Sequence, residues 1–374
     1  MDQTNWPSEW QDKWKALGHN EPTEIQIKSY EPLMTGTDVV AQAPTGTGKT
    51  LAYALGHLSR VTNEKKCQWL ILAPSQELVV QIADVIRPFL INGVTMTTLG
   101  GGANIKRQLE KLKKKPQVLV GTPGRVEELI KQKKLKMHEI KYITIDEADV
   151  LLTEEHEETT RFICQSANRD RQISLFSATT SERLDNFFDK VESSQQIEVV
   201  AGEAKMPTTI DHIYIQVNPR DKVKTLYRLA QVENMRAIVF VNTIGRLNTV
   251  YEKLNHDGVK ISALHGDLSK LQRQESVRDF KKGETSLLLA TDVAARGIDL
   301  PNLPAIIQFD MAQSLTQYVH RSGRTGRMGE QGAAISLVTD REARELKQMV
   351  KENDVKMIEQ IVKFGHLIDP QKTK

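Results

Sequence analysis

The stretch Ala43-Pro44-Thr45-Gly46-Thr47-Gly48-Lys49-Thr50 brings together residue types that hold phosphate. Gly46 and Gly48 let backbone N–H groups approach phosphate oxygens, a helix-patterned segment beginning at Leu51 aims its positive end at them, and Lys49 neutralises the charge of the outer phosphates. Thr50 then offers a hydroxyl to Mg2+. The usual loop of this kind opens on Gly, where this chain has Ala43. A glycine-rich turn that merely joins a strand to a helix would leave Lys49-Thr50 unexplained.

Further along, the apolar run of Tyr142-Ile143-Thr144-Ile145-Asp146-Glu147-Ala148-Asp149 ends in three carboxylates. Asp146, at the end of a strand, can hold Mg2+ through water, and Glu147 can orient the water that attacks a γ-phosphate. Acidic residues also favour helix starts, so alone the tetrapeptide would suit a solvated turn. Its place downstream of a phosphate loop is what points to chemistry.

With these segments the chain resembles the DEAD-box RNA helicases, Asp146-Glu147-Ala148-Asp149 being the name-giving motif, and the resemblance covers nearly the whole sequence. It implies ATP and Mg2+ as cofactors and RNA as the partner. Gly18-His19-Asn20-Glu21-Pro22-Thr23-Glu24-Ile25-Gln26 looks like the Q motif, whose glutamine amide reads the donor and acceptor of the adenine edge; Thr23 and Gln26 thus imply ATP over GTP. The family also packs an aromatic residue on the base. At that spacing this chain has Met1, with Trp6 and Trp10 nearby, and core packing suits both tryptophans at least as well.

Segments resembling the RNA-side motifs follow in order: Pro74-Ser75-Gln76-Glu77-Leu78, Gly100-Gly101-Gly102, Thr122-Pro123-Gly124-Arg125, Asn242-Thr243, His265-Gly266-Asp267, Arg273 and Thr291. The resemblance implies that Pro74, Gly101, Gly102, Thr122, Pro123, Gly124, Arg125, Asn242, Thr243, Gly266, Arg273 and Thr291 face RNA, through amides and charge-assisted contacts to phosphate. Turn-forming residues alone would give similar local patterns in the first domain's segments. Gln76 stands where the family has arginine, and Lys270 where it has glutamine. Ser177-Ala178-Thr179 matches the motif that couples ATP to RNA; Asp149, Ser177, Thr179, His320 and Arg321 are the implied coupling residues. Asp299 would face the ribose. In Tyr318-Val319-His320-Arg321-Ser322-Gly323-Arg324-Thr325-Gly326-Arg327, the resemblance makes Arg324 and Arg327 arginine fingers, completing a catalytic set with Lys49, Asp146 and Glu147.

The elements that must position these residues read as alternating strands and helices. Short apolar, β-branched-rich runs at 38–41, 69–73, 117–120, 142–145 and 173–176, and again at 237–241, 260–264, 286–290, 305–309 and 333–338, are separated by longer helix-patterned stretches. This predicts an α/β fold; the family adds two tandem RecA-like domains, each a mainly parallel sheet flanked by helices. The segment 201–208, poor in large apolar residues and containing Gly202 and Pro207, is the expected linker between an ATP-binding domain at 1–200 and a C-terminal domain at 209–374.

Bulk composition agrees with such a protein and excludes others. A chain of 374 residues exceeds one ordinary core, and 39% hydrophobic with 26% charged residues suits a folded chain. Cys67 and Cys164 lack neighbours at zinc-ligand spacing, and no apolar run reaches membrane-spanning length, so the expectation is a cytoplasmic protein with free thiols and no membrane partner. Residues 201–374 hold 26 Lys and Arg against 21 Asp and Glu, the rest 25 against 27, a bias too mild to identify a nucleic-acid binder. The 47 residues after Arg327 suffice to finish the second sheet, which resembles compact bacterial family members acting as monomers. That analogy implies ribosome assembly, with pre-ribosomal particles as partners. A DNA helicase, or an ATP-gated RNA clamp with little unwinding, are the competing readings.

Overall fold

The computed structural model describes residues 6–19, 21–44, 46–100, 105–179, 182–192, 196–201, 209–295, 300, 303–326, 330–351 and 355–373. The chain divides into two compact units, Met1–Ala204 and Lys205–Lys374.

In the first unit, seven strands form one parallel sheet: β1 (Asp38–Gln42), β2 (Trp69–Leu72), β3 (Met96–Leu99), β4 (Val118–Gly121), β5 (Tyr142–Asp146), β6 (Gln172–Ser177) and β7 (Gln196–Val200). Their order is β3-β4-β2-β5-β6-β1-β7. β2, β4, β5 and β6 are buried along their whole length, because helices cover both faces of the sheet. Side chains alternate between two cores: Val39, Trp69, Ile71 and Val118 enter one, Val40, Leu70, Leu72 and Leu119 the other. Full burial of each such aliphatic side chain contributes about 1.5–3 kcal/mol.

The second unit repeats the plan with β8 (Ile210–Gln216), β9 (Ala237–Phe240), β10 (Ile261–Leu264), β11 (Leu287–Ala290), β12 (Ala305–Gln308), β13 (Gly332–Val338) and β14 (Met357–Glu359). Again every pairing is parallel, in the order β10-β11-β9-β12-β13-β8-β14. An antiparallel hairpin, β15 (Ile361–Lys363) and β16 (His366–Ile368), follows, its turn made by Phe364 and Gly365 at φ 53° and 73°.

In the two large sheets, four strands lie outside the apolar runs of the sequence. β3, β7 and β14 are sheet edges, where one-sided exposure tolerates Thr, Gln and Glu. β8 is interior, but Asp211, His212, Tyr214 and Gln216 break its apolar pattern. Two of these side chains bond to neighbouring elements: His212 Nδ1 shares a 2.8 Å hydrogen bond with the Tyr318 hydroxyl, and the Tyr214 hydroxyl donates to Glu359 at 2.8 Å.

Candidate active site

Most of the described motif residues of both units lie at or just past the carboxyl ends of strands, the edge where open parallel sheets bind ligands. After β1 the chain passes Ala43 and Pro44 to Gly46 and Gly48, both at φ +87°, and enters the helix Lys49–Leu58. A side chain at Gly48 would strain the backbone, and its Cβ would overlap Gln26 Nε2. Ala43 is fully buried and its N–H donates to Ser177 O at 3.0 Å, so the position continues strand pairing. The Lys49 ammonium donates to Ala43 O at 2.7 Å and Pro44 O at 3.2 Å, and Thr47 Oγ1 to Pro44 O at 2.7 Å. Thr45 lies outside the described residues.

The helix Lys49–Leu58 is buried on nearly every side, only Thr50 being partly exposed. Gly56 lets it approach the helix Glu24–Thr35, since a Cβ there would stand 2.8 Å from Leu33. Thr23 and Gln26 cap that second helix: Gln26 Oε1 accepts from the Thr23 N–H at 2.8 Å, while Nε2 donates to Gly48 O at 3.2 Å. The amide keeps one N–H and one lone pair beyond these bonds. Trp6 and Trp10 are core residues, packed edge-to-face at 6.4 Å, with Trp10 Nε1 donating to Phe89 O at 2.8 Å. Met1 lies outside the described residues.

Asp146 ends β5, fully buried. Its Oδ1 accepts the Glu147 N–H at 2.9 Å and its Oδ2 accepts the Tyr53 hydroxyl at 2.9 Å. Burial first, and then the Glu147 charge, push its carboxyl up to about 6, while Lys49 opposes the shift. Burial, followed by the Asp146 charge, raises the Tyr53 phenol. Glu147 adopts φ 52°, a left-handed conformation that costs a non-glycine residue about 1–2 kcal/mol. Divalent magnesium takes oxygen ligands and keeps several waters; the Thr50 hydroxyl and the buried, held Asp146 carboxylate suit it, as the glycine turn and Lys49 suit polyphosphate. Asp149 Oδ2 accepts from Thr179 Oγ1 at 2.7 Å, and Ser177 Oγ accepts from the Thr179 N–H at 3.1 Å, so the Ser-Ala-Thr segment is tied to the acidic one.

On the same edge, Pro74 follows β2, and Ser75 caps the helix Gln76–Ile86 by accepting from Leu78 N at 3.2 Å. A Cβ on Gly100 would meet Gln76 Cγ and Cδ at 3.3 Å, so Gln76 packs over that glycine. Thr122 precedes the helix Pro123–Lys131, where Gly124 is exposed and Arg125 pairs with Glu128 at 3.3 Å. Gly101 and Gly102 lie outside the described residues.

In the second unit Asn242 and Thr243 follow β9, His265 and Gly266 follow β10, and Thr291 follows β11. Arg273 lies in the first turn of the helix Lys270–Lys282, capped by Ser269. Arg321, expected to reach the acidic motif, is 1% exposed and uses all five N–H groups within its own unit. Nε and Nη2 fork onto Asp292 at 2.7 and 2.6 Å, Nη2 also donates to Asn242 Oδ1 at 2.7 Å, and Nη1 to Asp310 O at 2.7 Å and Gln308 Oε1 at 3.3 Å. Within the second unit Arg321 thus holds the loops after β9, β11 and β12 together. The sequence pattern did not reveal these partners, nor Tyr53, although Tyr53 falls one helical turn past Thr50. His320 is buried, and Arg324 is partly exposed just past the helix Leu315–Ser322. Asp299 and Arg327 lie outside the described residues.

Residues 23–187 match the DEAD/DEAH box helicase family and 221–329 the helicase conserved C-terminal domain. The chain is 45% identical over 359 residues to the Probable ATP-dependent RNA helicase YfmL of Bacillus subtilis, covering 96% of this chain and 95% of that one. It is 41% identical to the DEAD-box ATP-dependent RNA helicase CshC of Bacillus cereus, over 97% and 95% of the two chains. Among solved structures, S. cerevisiae Dbp5 bound to RNA and ADP BeF3 superposes with a TM-score of 0.86 at 29% identity, covering 96% of this chain and 94% of that one. Two parallel sheets with a phosphate loop and an acidic strand end on the first, matched to such relatives along nearly their full length, show that the chain belongs to the DEAD-box ATP-dependent RNA helicases.

Proposed function

We propose that the first unit binds ATP through Thr23, Gln26 and the loop from Ala43 to Thr50, that Thr50 and Asp146 hold Mg2+, and that Glu147 orients the attacking water. Arg324 and Arg327 of the second unit stabilise charge on the transferred phosphoryl group. When bound, Mg2+ would neutralise phosphate charge. RNA is held by its backbone along the motif residues of both units, including Arg125, Arg273 and Thr291, and ATP and single-stranded RNA raise each other's affinity. One strand is bent, its partner is displaced locally, and hydrolysis releases both.

The observation that carries this reading is the gathering of Lys49, Thr50, Asp146 and Glu147 at the carboxyl ends of β1 and β5 around two left-handed glycines. The relatives, named as ATP-dependent RNA helicases, support RNA over DNA as partner. The cellular setting we propose is remodelling of pre-ribosomal particles by a cytoplasmic monomer, supported by kinship alone.

RNA-stimulated ATP hydrolysis by the purified chain tests the reading, with DNA as the control. Glu147→Gln retains ATP binding and loses turnover by about 10²–10⁴-fold, the usual contribution of a positioned acid–base group; turnover at the parental rate removes Glu147 from its role. Release of a strand from a short RNA duplex separates unwinding from an ATP-gated clamp, which would turn over ATP and leave the duplex intact.

A further inference from the structure

Tyr53 is fully buried in the helix Lys49–Leu58, its ring held edge-on by Trp69 at 6.1 Å and Phe176 at 5.1 Å. These contacts fix where its hydroxyl points. The hydroxyl donates to Asp146 Oδ2 at 2.9 Å, and Tyr53 lies one helical turn past Thr50 on the same helix. Thr50 and Asp146 come from different elements, the phosphate-loop helix and β5, with three strands between them in sequence. With the Glu147 N–H on the other oxygen, the Asp146 carboxylate is fixed at both ends, each oxygen keeping lone pairs for water.

We propose that Tyr53 is a positioning residue for the divalent cation, its hydroxyl orienting the Asp146 carboxylate toward the cation's side of the site. The inference rests on the reading of Thr50 and Asp146 as the magnesium-side residues. Groups that orient a metal's ligands from behind typically change its affinity 10–100-fold when removed, and Tyr53→Phe removes only the hydroxyl.

Calorimetric titration of ADP into the full chain, in EDTA and in saturating Mg2+, with Mg2+ then titrated at fixed ADP, tests this without relying on turnover. Tyr53→Phe binds ADP in EDTA as the parent does but requires about tenfold more Mg2+ for half-saturation. Asp146→Asn loses the Mg2+-dependent gain in ADP affinity. Equal weakening of Tyr53→Phe in EDTA and in Mg2+ overturns the positioning role and leaves a packing residue. An unchanged Mg2+ requirement in Tyr53→Phe, beside a lost gain in Asp146→Asn, overturns the inference and leaves the magnesium reading standing. Retention of the gain by Asp146→Asn overturns both.

Discussion

Arg321 illustrates how a motif residue's chemistry can be plain in the sequence while its partners are not. The family resemblance made its neighbours Arg324 and Arg327 arginine fingers, but Asn242, Asp292, Gln308 and Asp310 are brought to Arg321 by β9, β11 and β12, and no local spacing announces that. Their geometry needs a planar fork with five donors. Lysine has one ammonium on a flexible stem and cannot bridge Asp292 side-on while also reaching Asn242 and Asp310. Breaking a buried charged pair costs about 3–5 kcal/mol, and Asp292 retains some exposure. Arg321→Lys is therefore expected to destabilise the second unit by about 3 kcal/mol, read as a lower urea midpoint. ATP binding by the first unit should persist, because every Arg321 bond stays in the second.

At the scale of elements, ten strands were legible as apolar runs, the edge strand β10 among them, whereas the edges β3, β7 and β14 and the polar-studded β8 were not, because partial exposure relaxes the demand for apolar residues. The phosphate-loop helix was placed by its loop, but what anchors its far end could not be read. There a buried polar chain runs from Trp69 Nε1 to Thr144 Oγ1 at 3.0 Å, on to Ser174 Oγ at 2.9 Å and to His57 Nε2 at 3.2 Å. His57 is stacked on Tyr142 at 5.2 Å, and burial, aided by the Arg60 charge, lowers its pKa to about 3. The ring is neutral in the folded protein, and it takes a proton near its ordinary value of 6.5 once unfolded. Between these values the unfolded state binds more protons, so the stability this contributes is full above 6.5 and is lost as pH falls. From pH 6.5 to 5 the loss approaches about 2 kcal/mol. Urea midpoints at pH 7 and pH 5 should accordingly fall less for His57→Gln than for the parent; equal falls would remove His57 as the source. Asp146, whose carboxyl is pushed up, acts with the opposite sign in both proteins and cancels in the comparison.

At the scale of the molecule, each unit carries its own buried cores: residues from Trp6 to Ala201 fill two, and residues from Ile210 onward fill three others. A unit with a complete core can fold alone. The proposed chemistry is not divided so evenly, because Lys49, Asp146 and Glu147 belong to the first unit while Arg324 belongs to the second. Arginine fingers are worth about 10³–10⁵ in rate. Residues 1–204 expressed alone should thus bind ADP and ATP but hydrolyse ATP at least about 10³-fold more slowly than the RNA-stimulated intact chain, and RNA should not restore the rate. Nucleotide binding measured calorimetrically shows that the fragment is folded, which separates a missing catalytic group from a collapsed domain. If the fragment binds ATP and turns it over at the intact rate, the arginines of the second unit take no part in the chemistry, and the dependence of hydrolysis on RNA must arise within the first sheet.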